Sequence, residues 1–161
     1  MNPMSTIHAY AANAPKSLLQ PFEFEPGELR GDEVEIKVTH CGICHSDLSM
    51  LDNEWGMSQF PLVPGHEAVG TVIALGENVK RLEMGQRVGV GWTASSCLSC
   101  RECLSGQHNL CVNSQGTIVG RNGGFADRLR AQSTWVRPIP AALDLAKAGP
   151  LLCGGVTVFT P

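Results

Sequence analysis

Residues 97–111 read CLSCRECLSGQHNLC, and no other stretch constrains the fold as strongly. Four of the seven cysteines lie within these fifteen residues, spaced C-x2-C-x2-C-x7-C. The residues between them (Ser99, Ser105, Gly106 and Asn109) are loop formers, so the segment has no apolar run from which to build a core. C-x2-C turns present paired thiolates to one ion, and Cys97, Cys100, Cys103 and Cys111 complete a tetrahedral zinc site unaided. An iron–sulfur cluster is the rival, since C-x2-C-x2-C also opens ferredoxin motifs. There the fourth cysteine follows after three residues and precedes proline. Here the gap is seven and Val112 follows, which favours zinc. Disulfides are the third option. MNPMSTIHAYAANAPKS has no charged region leading into an apolar core, so no secretory signal is expected and the protein reads as cytoplasmic, where thiols stay reduced. A structural zinc lobe over residues 95–112 is therefore expected. Four thiolates leave no open position, so the chemistry belongs elsewhere.

With 161 residues the chain has the length of one domain. A formal charge of −3 gives nucleic acid or an anionic membrane no electrostatic attraction, and no apolar run approaches the ~20 residues of a membrane span. Alternation predicts strands at Val34–Val38, Val69–Leu75, Arg87–Val90 and Phe125–Leu129. Pro26-Gly27, Gly76-Glu77-Asn78, Met84-Gly85 and Asn122-Gly123-Gly124 punctuate them as turns. Short strands at these intervals imply a mainly β fold, a small barrel or partly open sandwich. One helix is expected to begin near Ser46 or Asp47, and another over Ala141–Ala148, stopped by Gly149-Pro150. No G-x-G-x-x-G follows a strand, so the chain carries no dinucleotide-binding fingerprint. It stops inside the apolar segment GGVTVFTP, as a chain cut short would.

Three cysteines remain: Cys41, Cys44 and Cys153. A catalytic zinc keeps three protein ligands and an open fourth position, and Cys44, His66 and Cys153 offer one such set. Spacing alone does not bring Cys153 to the others. Taken singly, Cys153 also fits as a small core residue and His66 as a satisfied buried histidine.

CGICHSDL, GHEAVGTVIALGENV, the four-cysteine lobe and GPLLCGGVTVF together resemble the zinc-dependent medium-chain alcohol dehydrogenases. The signature G-H-E-x2-G-x5-G-x2-V runs intact from Gly65 to Val79. Within that family the cinnamyl alcohol dehydrogenase class is most similar, and GELRGDEVEIKV, CGICHSDLSMLDNEWG and VGWTASSC look like bacterial NADPH-dependent aldehyde reductases. The resemblance implies a GroES-like, partly open β-barrel with a few short helices and the zinc lobe, spanning residues 1–161. The Rossmann cofactor domain of the family would be absent from this chain.

The resemblance also assigns roles. Cys44, His66 and Cys153 match the catalytic zinc ligands, Glu67 the glutamate beside the metal, and Asp47 the carboxylate that orients His66. Ser46 matches the hydroxyl that passes the substrate proton. His45 and Thr157 match positions near the cofactor, and Trp55 and Trp92 match walls of the substrate pocket. Many relatives carry a histidine where this chain has Ser49, so the usual proton relay is incomplete. Cys41 matches no ligand and is expected as a packed free thiol. The implied function is hydride transfer between NADP(H) and a small aldehyde or primary alcohol, with two zinc ions per chain and a full-length homodimer. A fragment without the cofactor domain is expected to be inactive. A zinc hydrolase with Glu67 as base, or a zinc-containing binding module, are the alternatives from other classes.

Overall fold

Val34-Glu35-Ile36-Lys37-Val38 forms the spine of the main sheet, as its alternation predicts. The computed structural model describes residues 6–159. Along the chain the elements are β1 (Ile7–Ala11), β2 (Gln20–Phe24), β3 (Glu33–Cys41), α1 (His45–Leu51), β4 (Ala68–Leu75), β5 (Arg87–Val90) and β6 (Thr93–Ser95). Then follow α2 (Arg101–Leu104), β7 (Gln115–Gly116), β8 (Arg128–Gln132), β9 (Arg137–Pro138), α3 (Leu145–Ala148) and α4 (Gly154–Phe159). Five strands make one antiparallel sheet in the order β8-β3-β4-β5-β9. It stays open, and its β9 edge carries Pro138, which has no N–H to offer a further strand. β1 pairs with β2, and β6 with β7, as separate two-stranded sheets. The mainly β, partly open architecture expected from the sequence is thus the observed one.

Two register shifts in β3, at Glu35/Ile36 and Val38/His40, bend the strand as it runs toward the segment that carries Cys44. Its apolar residues Val34 and Ile36 pack with Val72, Val88, Val90, Leu129 and Ala131 in the main core. The alternate residues are not simply solvated. Glu35 is also buried, held by Arg128 at 3.1 Å and Arg130 at 2.6 Å from the neighbouring strand. Ile36 is 1% exposed. Ile36→Ala is therefore expected to cost about 2–5 kcal/mol, read as a lower urea midpoint with an unchanged slope.

Three boundaries differ from expectation. The strand expected at Phe125–Leu129 begins at Arg128, because Phe125 and Ala126 are engaged by β1: Tyr10 N–H donates to Phe125 O at 2.9 Å and Ala9 bridges to Ala126. The second helix is shorter than Ala141–Ala148. Asp144 caps it, accepting from Ala146 N–H at 3.0 Å, while the carbonyls of Ala141 and Leu143 are taken by Arg87. Gly149-Pro150 does not end the turns there. A 3-10 turn continues over Gly149–Leu152, since a proline in a first turn loses no hydrogen bond.

Candidate metal centre and its setting

α1 starts from Cys44, its N-cap, rather than from Ser46 or Asp47. Asp47 occupies the third helical position, and its buried carboxylate accepts three N–H groups. Cys44 N–H reaches Oδ2 at 3.0 Å, while Gly65 N–H and His66 Nδ1 reach Oδ1 at 2.8 and 2.9 Å. One side chain thereby fixes the backbone of one candidate ligand and the ring of another. The proton this bond places on Nδ1 leaves Nε2 of His66 free to act as a donor atom. Burial lowers the basicity of His66, but Asp47 and Cys44 together outweigh it and the net shift is upward.

Cys153 arrives from the far end of the chain. Gly149 packs against the Glu67 carbonyl and Gly42 N, at distances (2.8 and 3.2 Å from an added Cβ) that leave a side chain no room. The turn Gly149–Leu152 then delivers Cys153 to the other two. Its Sγ lies 3.8 Å from Cys44 Sγ and 3.3 Å from His66 Nε2. A tetrahedron with Zn–S bonds near 2.3 Å and Zn–N bonds near 2.1 Å has S···S edges of about 3.8 Å and S···N edges of about 3.6 Å, so the sulfur pair fits zinc and the imidazole needs to move only about 0.3 Å outward. Their chemistry agrees. Backbone and hydroxyl bonds from Ser46 hold the Cys44 thiol below its usual range, whereas burial and the adjacent Cys44 push Cys153 up to about 12. A dication replaces that second proton.

Glu67 completes the group: its carboxylate joins Cys44, His66 and Cys153 with all four donor atoms within 4.8 Å. Its Oε2 is buried with no hydrogen-bond partner, in space that only the missing side chain of Gly42 leaves open. Burial raises its pKa. An unpartnered carboxylate oxygen beside two thiols and an imidazole is itself a mark of a cation site.

The remaining site residues sit around this group in two ways. Trp92 stands edge-on to His66 with ring centroids 5.1 Å apart, and Trp55 stands edge-on to Trp92 at 5.9 Å. Ser46 adjoins Cys44. His45 and Thr157 are exposed and adjoin the donor group rather than joining it. His45 opens α1, and Thr157 N–H bonds to Cys153 O at 3.0 Å, one turn into α4. Ser49 is buried. Cys41 lies outside both donor clusters, and burial pushes its thiol up to about 12. Gly42 and Gly149 are the site residues that sequence reasoning passes over. Their signal is slight: a glycine inside CGIC and another before proline.

The second cluster gathers Cys97, Cys100, Cys103 and Cys111, again with all donor atoms within 4.8 Å. Cys97 Sγ lies 3.5 Å from Cys111 Sγ and 4.0 Å from Cys103 Sγ. N–H groups of Ser99 and Cys100 hold the Cys97 thiol down at about 5. The lobe joins the body through a short relay: Ser96 N–H donates to Gln132 Oε1 at 3.0 Å, and Trp135 Nε1–H to Ser96 Oγ at 3.1 Å. Its own apolar residues Leu104, Leu110 and Val112 face solvent, so the lobe has no core of its own.

Residues 30–141 match the family model described as the alcohol dehydrogenase GroES-like domain. The chain belongs to that family. This GroES-like domain is 58% identical over 155 residues to aldehyde reductase AdhA of Synechocystis, covering 96% of the chain and 46% of the relative. A solved cinnamyl alcohol dehydrogenase (SbCAD4) from Sorghum bicolor superposes with a TM-score of 0.91 at 39% identity, covering 98% of this chain and 47% of that one. The cinnamyl alcohol dehydrogenase (CAD) structure from Helicobacter pylori, complexed with NADP(H), gives 0.92 at 28% identity, covering 97% and 48%. The GroES-like domain thus spans about half the length of the relatives it matches. No helix among its described residues is long and apolar enough to cross a membrane.

Proposed function

We propose that this domain is the catalytic part of a zinc-dependent alcohol dehydrogenase or aldehyde reductase, interconverting a primary alcohol and its aldehyde with NADP(H). One observation carries the reading: Cys44, His66 and Cys153, from three distant segments, converge at zinc-ligand separations with Asp47 orienting the imidazole. The aldehyde reductase name of the Synechocystis relative and the NADP(H) in the Helicobacter pylori structure support it. The nucleotide is held by a separate Rossmann domain, as the roughly doubled length of the relatives suggests. The full-length enzyme is a homodimer in the cytoplasm, with a small neutral substrate and no nucleic-acid partner.

When bound, zinc supplies a Lewis acid beside the substrate oxygen and NADPH supplies the hydride. The chain's own residues do the rest. Cys44, His66 and Cys153 hold the catalytic ion, and Asp47 keeps the His66 ring and tautomer fixed. Glu67 stands behind the ligand set as a buried carboxylate able to move toward it. Ser46 gives or takes the proton at the substrate oxygen. Since Ser49 offers no titratable group, that proton leaves through His45, water or the cofactor ribose. Trp92 and Trp55 flank the approach with apolar surface and exclude water. His45 and Thr157 face the nucleotide, and the four-cysteine lobe holds the structural ion.

The test is aldehyde-dependent NADPH oxidation by the full-length, zinc-loaded protein. Ser46→Ala is expected to lower kcat by about 10²–10⁴-fold with metal content unchanged, and the 161-residue domain alone is expected to be inactive. No turnover with either NADPH or NADH across a panel of aldehydes would sink the reading.

A further inference from the structure

α1 closes in a Schellman motif. Asn53 is its left-handed residue, with φ of 55°. Asn53 N–H bonds to Met50 O at 3.1 Å, and the following N–H, of Glu54, reaches Ser49 O at 2.9 Å. Ending a helix asks no more of that position than tolerance of positive φ, which glycine meets best. Asn53 does more. Its Oδ1 accepts Ser58 N–H at 3.0 Å, and the Ser58 hydroxyl turns back to Met50 O at 2.5 Å. Gly56 N–H closes the turn onto Asn53 O at 3.1 Å. Residues 53–58 are thus tied at both ends to the last turn of the helix that begins at Cys44. Trp55 stands within this loop, 46% exposed and edge-on to Trp92, which in turn lies edge-on to His66.

We infer that Asn53 is a positioning residue, which sets Trp55 as a wall of the substrate cleft by clamping its loop to Ser58. The inference rests on the aldehyde reductase reading for what the wall selects. The geometry supplies a mechanism: without the clamp the loop keeps its helix exit and the Ser58 hydroxyl bond to Met50 O, but loses the bond that spans it from Asn53 Oδ1 to Ser58 N–H, so the indole is held less firmly against Trp92. Substrates that use the indole surface then lose a contact, while substrates too small to reach it lose nothing.

Substitution separates the two duties of Asn53. Asn53→Gly keeps the left-handed backbone and deletes the side-chain bond. Asn53→Asp keeps an acceptor in the same place and a residue tolerant of the same φ. In the full-length zinc-loaded enzyme, Asn53→Gly is expected to raise KM for cinnamaldehyde about 3–10-fold, the worth of one aromatic contact. Its kcat and KM for acetaldehyde, and its metal content, stay as in the parent. Trp55→Ala is expected to raise the cinnamaldehyde KM at least as far, the double variant no further than Trp55→Ala alone, and Asn53→Asp to keep the parental values. Amide exchange over residues 53–58 should quicken in Asn53→Gly and not in Asn53→Asp. An unchanged KM for both aldehydes, equal rises for both, or unchanged exchange would overturn the assignment. A parent enzyme that reduces neither aldehyde brings down the enzyme reading instead, while the exchange measurement still decides the clamp.

Discussion

Cys97→Ser is expected to remove one of two metal ions per chain and to melt the lobe over residues 95–112, leaving the five-stranded sheet folded. Cys97 is the hub of its cluster: Cys111 Sγ and Cys103 Sγ lie at 3.5 and 4.0 Å, and Cys100 N–H points at its sulfur at 3.3 Å. The substitution leaves three thiols converging on a hydroxyl, a poor ligand for zinc. Structural zinc sites bind with about 10–16 kcal/mol, and where no apolar core exists that binding energy is the folding energy. The lobe is such a case. It has one short helix and one 3-10 turn, and Leu104, Leu110 and Val112 lie on its outside. Elemental analysis should fall from two zinc ions per chain to one. Proteolysis should open sites around Arg101, and amide exchange should quicken within the lobe but not in β3 or β4. Two ions retained, or exchange that quickens across the whole sheet, would show that the lobe is not an independent metal-folded unit.

The four-cysteine lobe is legible in the sequence because its ligands are local, with spacing and turn chemistry written in fifteen consecutive residues. The spine strand is legible for a similar reason: Val34 and Ile36 sit on one side of a period-two pattern with no competing signal. The Cys44–His66–Cys153 group is different. Cys153 lies 109 residues from Cys44, and what joins them is the approach of Gly149 to Glu67 and Gly42. Backbone contact through absent side chains leaves no periodicity to read. Family resemblance names the residues, but the physical reason they meet appears only in the fold. The hairpin of β1 and β2 is hidden too, because Pro21 disguises a strand whose Phe22 and Phe24, on either side of Glu23, pack on Ala9, Ala11 and Val63. The 141–148 stretch misleads in the opposite sense. Its alanines suit a helix, but Arg87 claims two of its carbonyls and Asp144 resets the start.

Asp47→Asn is expected to weaken metal binding at the Cys44–His66–Cys153 group by about 10–100-fold while the lobe keeps its ion. The carboxylate accepts Cys44 N–H on one oxygen and Gly65 N–H and His66 Nδ1–H on the other. Asparagine has one acceptor oxygen and an NH2 group. With its oxygen toward Gly65 and His66, the NH2 opposes the N–H of Cys44. Flipped, it opposes the other two donors. Either way a buried donor meets a donor, and the negative charge that makes His66 a stronger ligand is gone. Asparagine is the sharper probe because it keeps the volume. Asp47→Ala would leave three buried N–H groups without partners, at about 1–3 kcal/mol each, and confound affinity with unfolding. Competition against a chelator should show one site releasing zinc early and the other at the parental concentration, the reverse of the selective loss in Cys97→Ser. Parental affinity at both sites would mean that Asp47 caps α1 and nothing more. Selective loss would show that one carboxylate at the third position of a seven-residue helix aligns a thiolate from its own cap with an imidazole nineteen residues away.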